Sequence, residues 1–217
     1  MNVAIAGGHG QIALHLARLL HERGDGVRSL IRNPDHADDV RAAGGEPVLC
    51  DLEVADEAAV AEGVGPVDAV VFAAGAGPGS GAERKWTVDH GAAVKLIAAA
   101  RANGIDRYVM VSSLGADPDA PGDDVFAVYL RAKGQADADL IASGLAYTIV
   151  RPGRLTDDPR TGLVTLAEHV ERGEIPREDV AAVLDAVLHE PGTAQRVAGL
   201  VSGDTPVDQA VAALVAP

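Results

Sequence analysis

The segment NVAIAGGHGQIALHLARLL, residues 2–20, is the most informative stretch of this chain. The apolar run Val3–Ile5 predicts a strand, and apolar residues at helical spacing after residue 10 predict a helix. Gly7, Gly8 and Gly10 connect the two. Glycine has no Cβ to block a ligand from the backbone, and the helix start offers free N–H groups and positive potential to an anion. A strand, glycine turn and helix in this order predict a site for a dinucleotide pyrophosphate.

The residue that follows the second predicted strand indicates which dinucleotide is bound. This strand, Val27–Ile31, ends at Arg32, where an NAD-binding protein usually carries Asp or Glu for the ribose 2′-hydroxyl. A guanidinium suits the 2′-phosphate of NADP instead. Asn33 and Pro34 begin the next helix, which puts Arg32 on a loop facing the cofactor. We therefore expect NADP(H), with NAD less favoured; the alternative interpretation is a solvated loop arginine. His9 either contributes to the site or is a passive turn residue.

The rest of the chain alternates between apolar segments and Ala-rich helical stretches. The apolar segments end near Ile31, Cys50, Ala74, Ser113 and Val150. This order predicts an α/β fold with a Rossmann-type, doubly wound parallel sheet. Ligands of such sheets bind beyond the carboxyl ends of the strands, so the residues there are site candidates. They are Asp51, Leu52, Ala73, Ala74, Gly75, Ser112, Ser113, Arg151, Pro152 and Gly153.

We expect residues 1–217 to form one NAD(P)-binding domain. Residues 154–217 are predicted to be a small extension on the substrate side, without a core of their own. They contain a short apolar run, a capped helix, a strand over Val197–Val201 and a closing helix from Val207.

Two loops rich in glycine and proline are candidates for the walls of a substrate pocket. Residues 74–86 show no helical or strand period and are predicted to form a mobile cover near the nicotinamide. The alternative is a flexible surface loop without function. Residues 114–124 are similar in composition and are expected to wall the substrate pocket.

Composition excludes several classes of function. With 32 acidic and 18 basic side chains the formal charge is −14, so we expect no nucleic-acid partner. No leader-like start and no long apolar run occur, so we expect a cytoplasmic protein without a membrane partner. Cys50 is the single cysteine and no Cys/His spacing suits a metal, so neither a disulfide nor a metal site is expected. The Ala-rich helices suit a surface or an interface equally, which leaves the oligomeric state open.

The motif YLRAK places Tyr129 and Lys133 four residues apart on a predicted helix. That spacing puts phenol and ammonium on one face, while Ala136, Leu140 and Ile141 are expected to point inward. The ordinary pKa of a tyrosine, about 10, is too high for efficient proton exchange at neutral pH, and a nearby cation favours the phenolate. This spacing is common by itself, but here it lies downstream of the glycine turn, between a predicted strand that ends in Ser112 and Ser113 and one that ends in RPG. The context therefore favours a tyrosine and lysine that act together in proton exchange.

These segments together resemble the short-chain dehydrogenase/reductase superfamily. The resemblance is closest to its atypical NAD(P)-binding branch, which includes NmrA-like and NAD-dependent epimerase/dehydratase-like proteins. It covers nearly the whole chain and rests on AGGHGQIA, LIRNP, CDL, VVFAAGAG, VMVSSLGA, YLRAK and TIVRPGRL, which occur in that family's order.

The resemblance implies a role for each matching residue. Arg32 would read the 2′-phosphate, Asp51 and Leu52 would flank the adenine, and Ala74 and Gly75 would lie along the ribose. Tyr129 would be the general acid/base, Lys133 would bind the nicotinamide ribose and tune the phenol, and Ser113 would hydrogen-bond the substrate carbonyl, with Ser112 as the alternative. The pyrophosphate would be held by Gly7, Gly10, and the backbone of Gln11 and Ile12, and the nicotinamide would lie beside Pro152 and Gly153.

Three features depart from the family pattern. Ala13 replaces the third glycine of extended members, a mild change that still permits close helix packing. Asp89 stands where many members place an asparagine of the proton relay. The 64 residues after Gly153 are few for a sugar-nucleotide epimerase or dehydratase. We therefore expect an NADP(H)-dependent oxidoreductase with a small carbonyl, quinone or flavin-like acceptor. A non-catalytic NADP(H) sensor is the main alternative, and a small epimerase or dehydratase is less favoured.

Overall fold

A computed structural model of the chain describes residues 1–77 and 79–215. Within them, nine strands form one sheet in the order β11-β8-β10-β6-β5-β4-β1-β2-β3, and β7 pairs with β9 alone. The strands are β1 (Asn2–Ala6), β2 (Gly26–Ile31), β3 (Glu46–Leu49), β4 (Ala69–Phe72), β5 (Arg107–Val111), β6 (Ala146–Pro152), β7 (Arg154–Thr156), β8 (Leu163–Ala167), β9 (Glu174–Pro176), β10 (Arg196–Ser202) and β11 (Thr205–Pro206).

Helices cover both faces of this sheet. A π-helical stretch, Lys85–Ala92, joins two of them without a break and is called the π segment below. Short 3₁₀ turns lie at Pro34–His36 and Pro191–Thr193. The α-helices are α1 (Gln11–Arg23), α2 (Ala37–Ala42), α3 (Glu57–Val64), α4 (Ala82–Arg84), α5 (Ala93–Ala102), α6 (Val125–Ala142), α7 (Arg177–His189) and α8 (Val207–Val215). No helix of the described residues is long and apolar enough to cross a membrane.

The doubly wound sheet is confirmed, with one correction at its edge. The strands from β3 across to β10 are all parallel to their neighbours. β8, however, runs antiparallel to both β10 and β11. Its residues alternate between exposed and buried, as expected for a strand covered on one face only. The C-terminal residues thus extend the main sheet.

Two apolar layers hold the sheet between the helices. On one face, Leu16 and Leu20 of α1 pack with Leu184 of α7. On the other, Leu96 of α5 and Leu140 of α6 pack with the sheet. The prediction that Ile141 points inward is wrong, because its side chain is 45% exposed. α6 buries Ala132, Ala136 and Leu140 at intervals of four residues, and Ile141 lies one residue beyond that stripe.

The predicted loop over residues 74–86 is wrong in its last part. Helix α4 begins at Ala82 after Gly81, so residues 82–86 are helical. The glycine-rich residues before Ala82 show no helical spacing, so the sequence pattern did not predict the short helix that begins there. Pro78, within the predicted loop, lies outside the described residues.

The second loop, residues 114–124, is fastened to α6. Arg131 donates hydrogen bonds of 2.7 Å to the carbonyls of Ala120 and Gly122. Asp124 caps α6 by accepting from the amide of Ala127 at 2.7 Å. The loop therefore lies against the helix that carries Tyr129.

Candidate functional site

An open groove of about 300 Å³ lies where β1, β2, β3 and β4 end. Most of the predicted cofactor residues meet here. Of the predicted set, the groove is lined by Gly7, Gly8, His9, Gly10, Arg32, Asp51, Leu52, Ala73, Ala74 and Gly75. Other lining residues are Leu30, Ile31, His36, Cys50, Glu53, Ala76, Arg84 and Val88. We call this cavity the glycine groove.

The glycines at the floor of this groove are required by close backbone contacts. A Cβ on Gly7, whose φ is +80°, would lie 2.7 Å from the Cα of Ala74. A Cβ on Gly8 would lie 2.5 Å from the Cβ of Ser29. The glycine turn therefore packs closely against the ends of β2 and β4. Because these residues have no side chains, the backbone of the turn forms the floor of the groove.

The start of α1 supplies unpaired donors to this floor. Gly10 caps the helix without a side-chain hydrogen bond, and the first helical bond runs from the amide of Leu14 to the carbonyl of Gly10 at 2.9 Å. Among the described residues, the amides of Gln11, Ile12 and Ala13 have no acceptor, and the first turn contains no acidic side chain. Free amides and the helix dipole suit a phosphate group, so these residues fit a dinucleotide pyrophosphate.

One rim of the groove carries a histidine pair beside an arginine. The rings of His9 and His36 stack with centroids 3.6 Å apart and planes 12° from parallel. His9 Nε2 also lies 2.8 Å from Asp39 Oδ2, so its ring is held in place. Arg32 also lines the groove, is exposed, and forms no ion pair within the described part of the chain. Its guanidinium is therefore available to an anionic ligand.

The lining of the groove also includes an ion pair that the sequence did not reveal. Arg84 donates to both carboxylate oxygens of Glu53, at 2.8 Å for the shortest contact, and Thr87 donates to Glu53 at 2.7 Å. The hydrogen bond from Arg84 is the main reason that the pKa of Glu53 is lowered. Glu53 directly follows the predicted CDL motif, but Arg84 falls where a loop was predicted. Only the helical start at Ala82 brings the two together.

Hydrogen bonds within their turn and from Lys95 hold Asp51 and Leu52 in place. Asp51 Oδ1 accepts from the amide of Glu53 at 3.0 Å. The ammonium of Lys95 donates to the carbonyls of Leu52 and Glu53 at 3.0 and 3.1 Å. The wall of the groove after β3 is thus held by α5.

Lys133 and Asp89 form a buried pair behind the groove. Lys133 is 3% exposed and Asp89 is 1% exposed, with 3.5 Å between the ammonium and Asp89 Oδ1. The ammonium also donates to the carbonyls of Val111 and Ala74 at 3.1 and 3.4 Å. Asp89 Oδ2 accepts from the amide of Ala76 at 3.2 Å. This pair ties α6 and the π segment to the ends of β4 and β5.

Tyr129 is half-buried and lies next to a different lysine. The ammonium of Lys85, from the π segment, is 5.5 Å from the centre of the Tyr129 ring. Phe126 stacks on Tyr129 from one turn earlier on α6, with centroids 5.9 Å apart. Lys85 was not among the predicted site residues, because it lies in the part of the chain predicted as loop.

The two serines at the end of β5 have different surroundings. Ser112 is buried and donates to Asp137 Oδ2 at 2.8 Å, and Arg151 donates to the same oxygen at 2.9 Å. Burial raises the pKa of Asp137 in spite of these two partners. The half-buried Ser113 hydroxyl makes only a long bond, 3.3 Å, to the carbonyl of Leu114 among the described residues. Ser113 therefore has the freer hydroxyl of the two.

The predicted nicotinamide residues lie outside the lining of the groove. The carbonyl of Pro152 accepts from the amide of Leu114 at 2.9 Å. A Cβ on Gly153 would lie 2.2 Å from the carbonyl oxygen of Gly173, so this glycine packs against backbone. Ser112, Ser113, Tyr129, Lys133, Gln11 and Ile12 are also outside the lining, although Gln11 and Ile12 begin the helix that follows Gly10. Their roles remain predictions.

The fold and the glycine groove define a Rossmann-type dinucleotide-binding protein. Comparison with known proteins narrows this class. A family model described as NAD(P)H-binding matches residues 7–191. The chain therefore belongs to this NAD(P)H-binding family, within the atypical branch of the short-chain dehydrogenase/reductase superfamily.

Relatives extend over the whole length of the chain. The Bacillus subtilis protein YhfK, named an uncharacterized sugar epimerase, is 41% identical over 97% of this chain and 99% of its own. A solved structure from Bacillus halodurans, named a candidate NAD-dependent epimerase/dehydratase, is 36% identical with a TM-score of 0.91 and covers 98% of this chain and 99% of its own. ChuY, an anaerobilin reductase from Escherichia coli O157:H7, is 26% identical with a TM-score of 0.79, over 94% and 98% of the two chains.

Proposed function

We propose that the chain is an NADPH-dependent reductase of a small carbonyl, quinone or flavin-like acceptor. The observation that carries this proposal is the glycine groove, whose floor presents free amides and whose rim presents Arg32. Oxidoreductase function also has a precedent in the fold, since ChuY is named a reductase. A bound NADPH supplies a hydride to the acceptor.

The residues that would hold the cofactor follow from the groove. Gly8 and Gly10, with the free amides of α1, would hold the pyrophosphate. Asp51 and Leu52 would flank the adenine. Arg32 would pair with the 2′-phosphate through a charge-assisted hydrogen bond. The chain as a whole carries a charge of −14, which repels an anionic nucleotide. Binding of the phosphates would therefore depend on nearby backbone amides and on the guanidinium of Arg32.

The proton would come from Tyr129. Its phenol would donate to the oxygen of the acceptor while Ser113 donates a second hydrogen bond to the same oxygen. Lys133 would position Tyr129 by holding α6 against the ends of β4 and β5 through its bonds to Ala74 and Val111. The Arg84–Glu53 pair would close the groove over the adenosine side.

Arg32→Ala is expected to weaken NADPH binding about 10- to 100-fold and NADH binding little, because it removes a charge-assisted contact worth ~1.5–3 kcal/mol. Fluorescence titration of both nucleotides measures this. Arg41→Ala is the matched control, since Arg41 is an exposed arginine on α2 that pairs with Asp38 at 2.8 Å outside the groove lining. An equal loss of affinity for both nucleotides would remove Arg32 from this role.

Cys50 offers a test of the groove that needs no turnover. Burial raises the pKa of its thiol, so little thiolate is present and alkylation by iodoacetamide is expected to be slow. Because Cys50 lines the groove, bound NADP⁺ is expected to slow labelling at least several-fold further. Because Cys50 is the single cysteine of the chain, mass spectrometry measures its extent of alkylation directly. Labelling unaffected by saturating NADP⁺ would place the nucleotide away from this wall.

A non-catalytic NADP(H)-binding regulator is the second candidate. One observation favours it: the contacts of the Lys133 ammonium are to two carbonyls and Asp89, as in a structural ion pair. In such a protein the bound nucleotide would bias the segment from Gly75 to Gly81 toward or away from a partner. NADPH binding without turnover of any acceptor would favour this candidate.

A further inference from the structure

The aromatic side chains of the chain divide into two groups. It has only six Phe, Trp and Tyr residues, and Phe72, Tyr108 and Tyr147 are in the core. The other three lie on the π segment and on α6, which pack together, and the π segment contacts Gly77 through Lys85. They are the half-buried Tyr129, Trp86, which is 41% exposed, and Phe126, which is 62% exposed. Exposed aromatic side chains beside a candidate site favour a planar ligand.

Lys85 places a poorly compensated charge at the same point. Its side chain is 8% exposed, and its ammonium has three donors, of which one reaches the carbonyl of Gly77 at 2.9 Å. Within the described residues no carboxylate pairs with it; its other neighbour is the ring of Tyr129. An ammonium on a side chain that is 8% exposed, with one neutral acceptor among the described residues, is stabilised by an added anion. The other lysines differ, since Lys133 pairs with Asp89 and Lys95 bonds two carbonyls.

We propose that Lys85, Tyr129 and Phe126 form a subsite for a planar, conjugated acceptor that carries an acidic group. The ring system would stack on Phe126 next to Tyr129, and the acidic group would pair with the Lys85 ammonium in place of the Gly77 carbonyl. A Cβ on Gly77 or on Gly79 would meet no described atom within 4 Å, so open space lies beside both glycines. We call this the Lys85 subsite.

The positive charge of the Lys85 subsite would offset the repulsion between this acidic chain and an anionic acceptor. A net charge of −14 repels an anionic acceptor, so such a ligand needs a local cation within reach of the reacting group. The inference deepens the proposed reductase function by naming its substrate class and rests on it only for the ligand's role as acceptor. For a quinone, the hydride from NADPH and one proton give the hydroquinone and NADP⁺, and the acidic group is unchanged.

Binding of two redox-inert probes tests the subsite directly. Calorimetric titration would compare naphthalene-2-sulfonate with the neutral 2-naphthol on the NADP⁺-loaded chain and on the free chain. Lys85→Met is expected to weaken sulfonate binding about 10- to 100-fold and to leave 2-naphthol binding unchanged, since one charge-assisted hydrogen bond is lost. Lys85→Arg is expected to retain most of the preference for the anion. Phe126→Ala is expected to weaken both probes by a similar factor.

The control is Arg101→Gln, which removes one positive charge from the end of α5, where Arg101 bonds the carbonyl of Ser143. It is expected to leave both probes unaffected. Equal effects of Lys85→Met on the two probes, or none on either, would overturn the subsite. The proposed function can fail separately from the subsite. Sulfonate binding at Lys85 without NADPH oxidation by any quinone would contradict the reductase function but support the subsite. Turnover of anionic and neutral quinones that Lys85→Met leaves unchanged would contradict the subsite alone.

Discussion

Tyr129→Phe is expected to lower kcat for NADPH-dependent reduction by ~10²–10⁴-fold, the usual contribution of a positioned general acid. The substitution removes the phenolic proton but keeps the ring that stacks on Phe126 and faces Lys85. NADPH affinity is expected to stay unchanged, because Tyr129 lies outside the lining of the glycine groove. Steady-state kinetics with parallel nucleotide titration separates the two effects.

Tyr147→Phe is the matched control for Tyr129. Tyr147 is a buried tyrosine of β6 that packs in the apolar layer beneath α5 and α6. Its loss of a hydroxyl should change kcat little. If Tyr129→Phe kept wild-type turnover, the proton would have to come from another donor or from water.

Asp89→Ala is expected to lower the free energy of unfolding by ~3–5 kcal/mol, because it leaves the Lys133 ammonium charged and without its carboxylate in the protein interior. It also removes the acceptor of the Ala76 amide. Urea denaturation monitored by circular dichroism measures the change. This position departs from the asparagine of the family, and the structure gives it a partner, since Asp89 and Lys133 are 3.5 Å apart and both buried.

A double-mutant cycle distinguishes this pair from simple loss of packing. Lys133→Met in the Asp89→Ala background removes the stranded charge and is expected to recover part of the lost stability. Asp89→Asn is expected to cost less than Asp89→Ala, since an amide oxygen still faces the Lys133 ammonium and still accepts from the amide of Ala76. Additive effects of the two single substitutions would contradict a coupled pair.

The part of the site built from backbone was predictable from sequence. Gly7, Gly8 and Gly10 stand between a strand and a helix, and only glycine fits the distances that this turn imposes on Ala74 and Ser29. The parallel order of strands followed from alternating patterns, and it carried Arg32 and Asp51 to one edge of the sheet. Local spacing decides such features, so they can be read before any fold is known.

Contacts between distant segments were not predictable. The motif YLRAK shows that Tyr129 and Lys133 share one helical face, but it does not show which residues each side chain contacts. Lys133 reaches the carbonyl of Val111 in β5 and that of Ala74 after the end of β4, while the cation beside Tyr129 is Lys85, 44 positions earlier in the chain. Four glycines between residues 75 and 81 concealed the helix that begins at Ala82, and with it the Arg84–Glu53 pair. The antiparallel edge depends on how β8 inserts between β10 and β11, which no local pattern determines.

Reduction of an acceptor by NADPH bound in the glycine groove can be tested by mixing the NADPH-loaded chain with a quinone in the absence of oxygen. The nicotinamide and quinone absorbances are followed together. We expect one NADPH to be consumed for each quinone reduced, and we expect consumption to slow when Tyr129 is replaced by Phe. NADPH that stays bound and unoxidised with quinones, flavins, aldehydes and ketones alike would show that the chain is not an NADPH-dependent reductase of these acceptors.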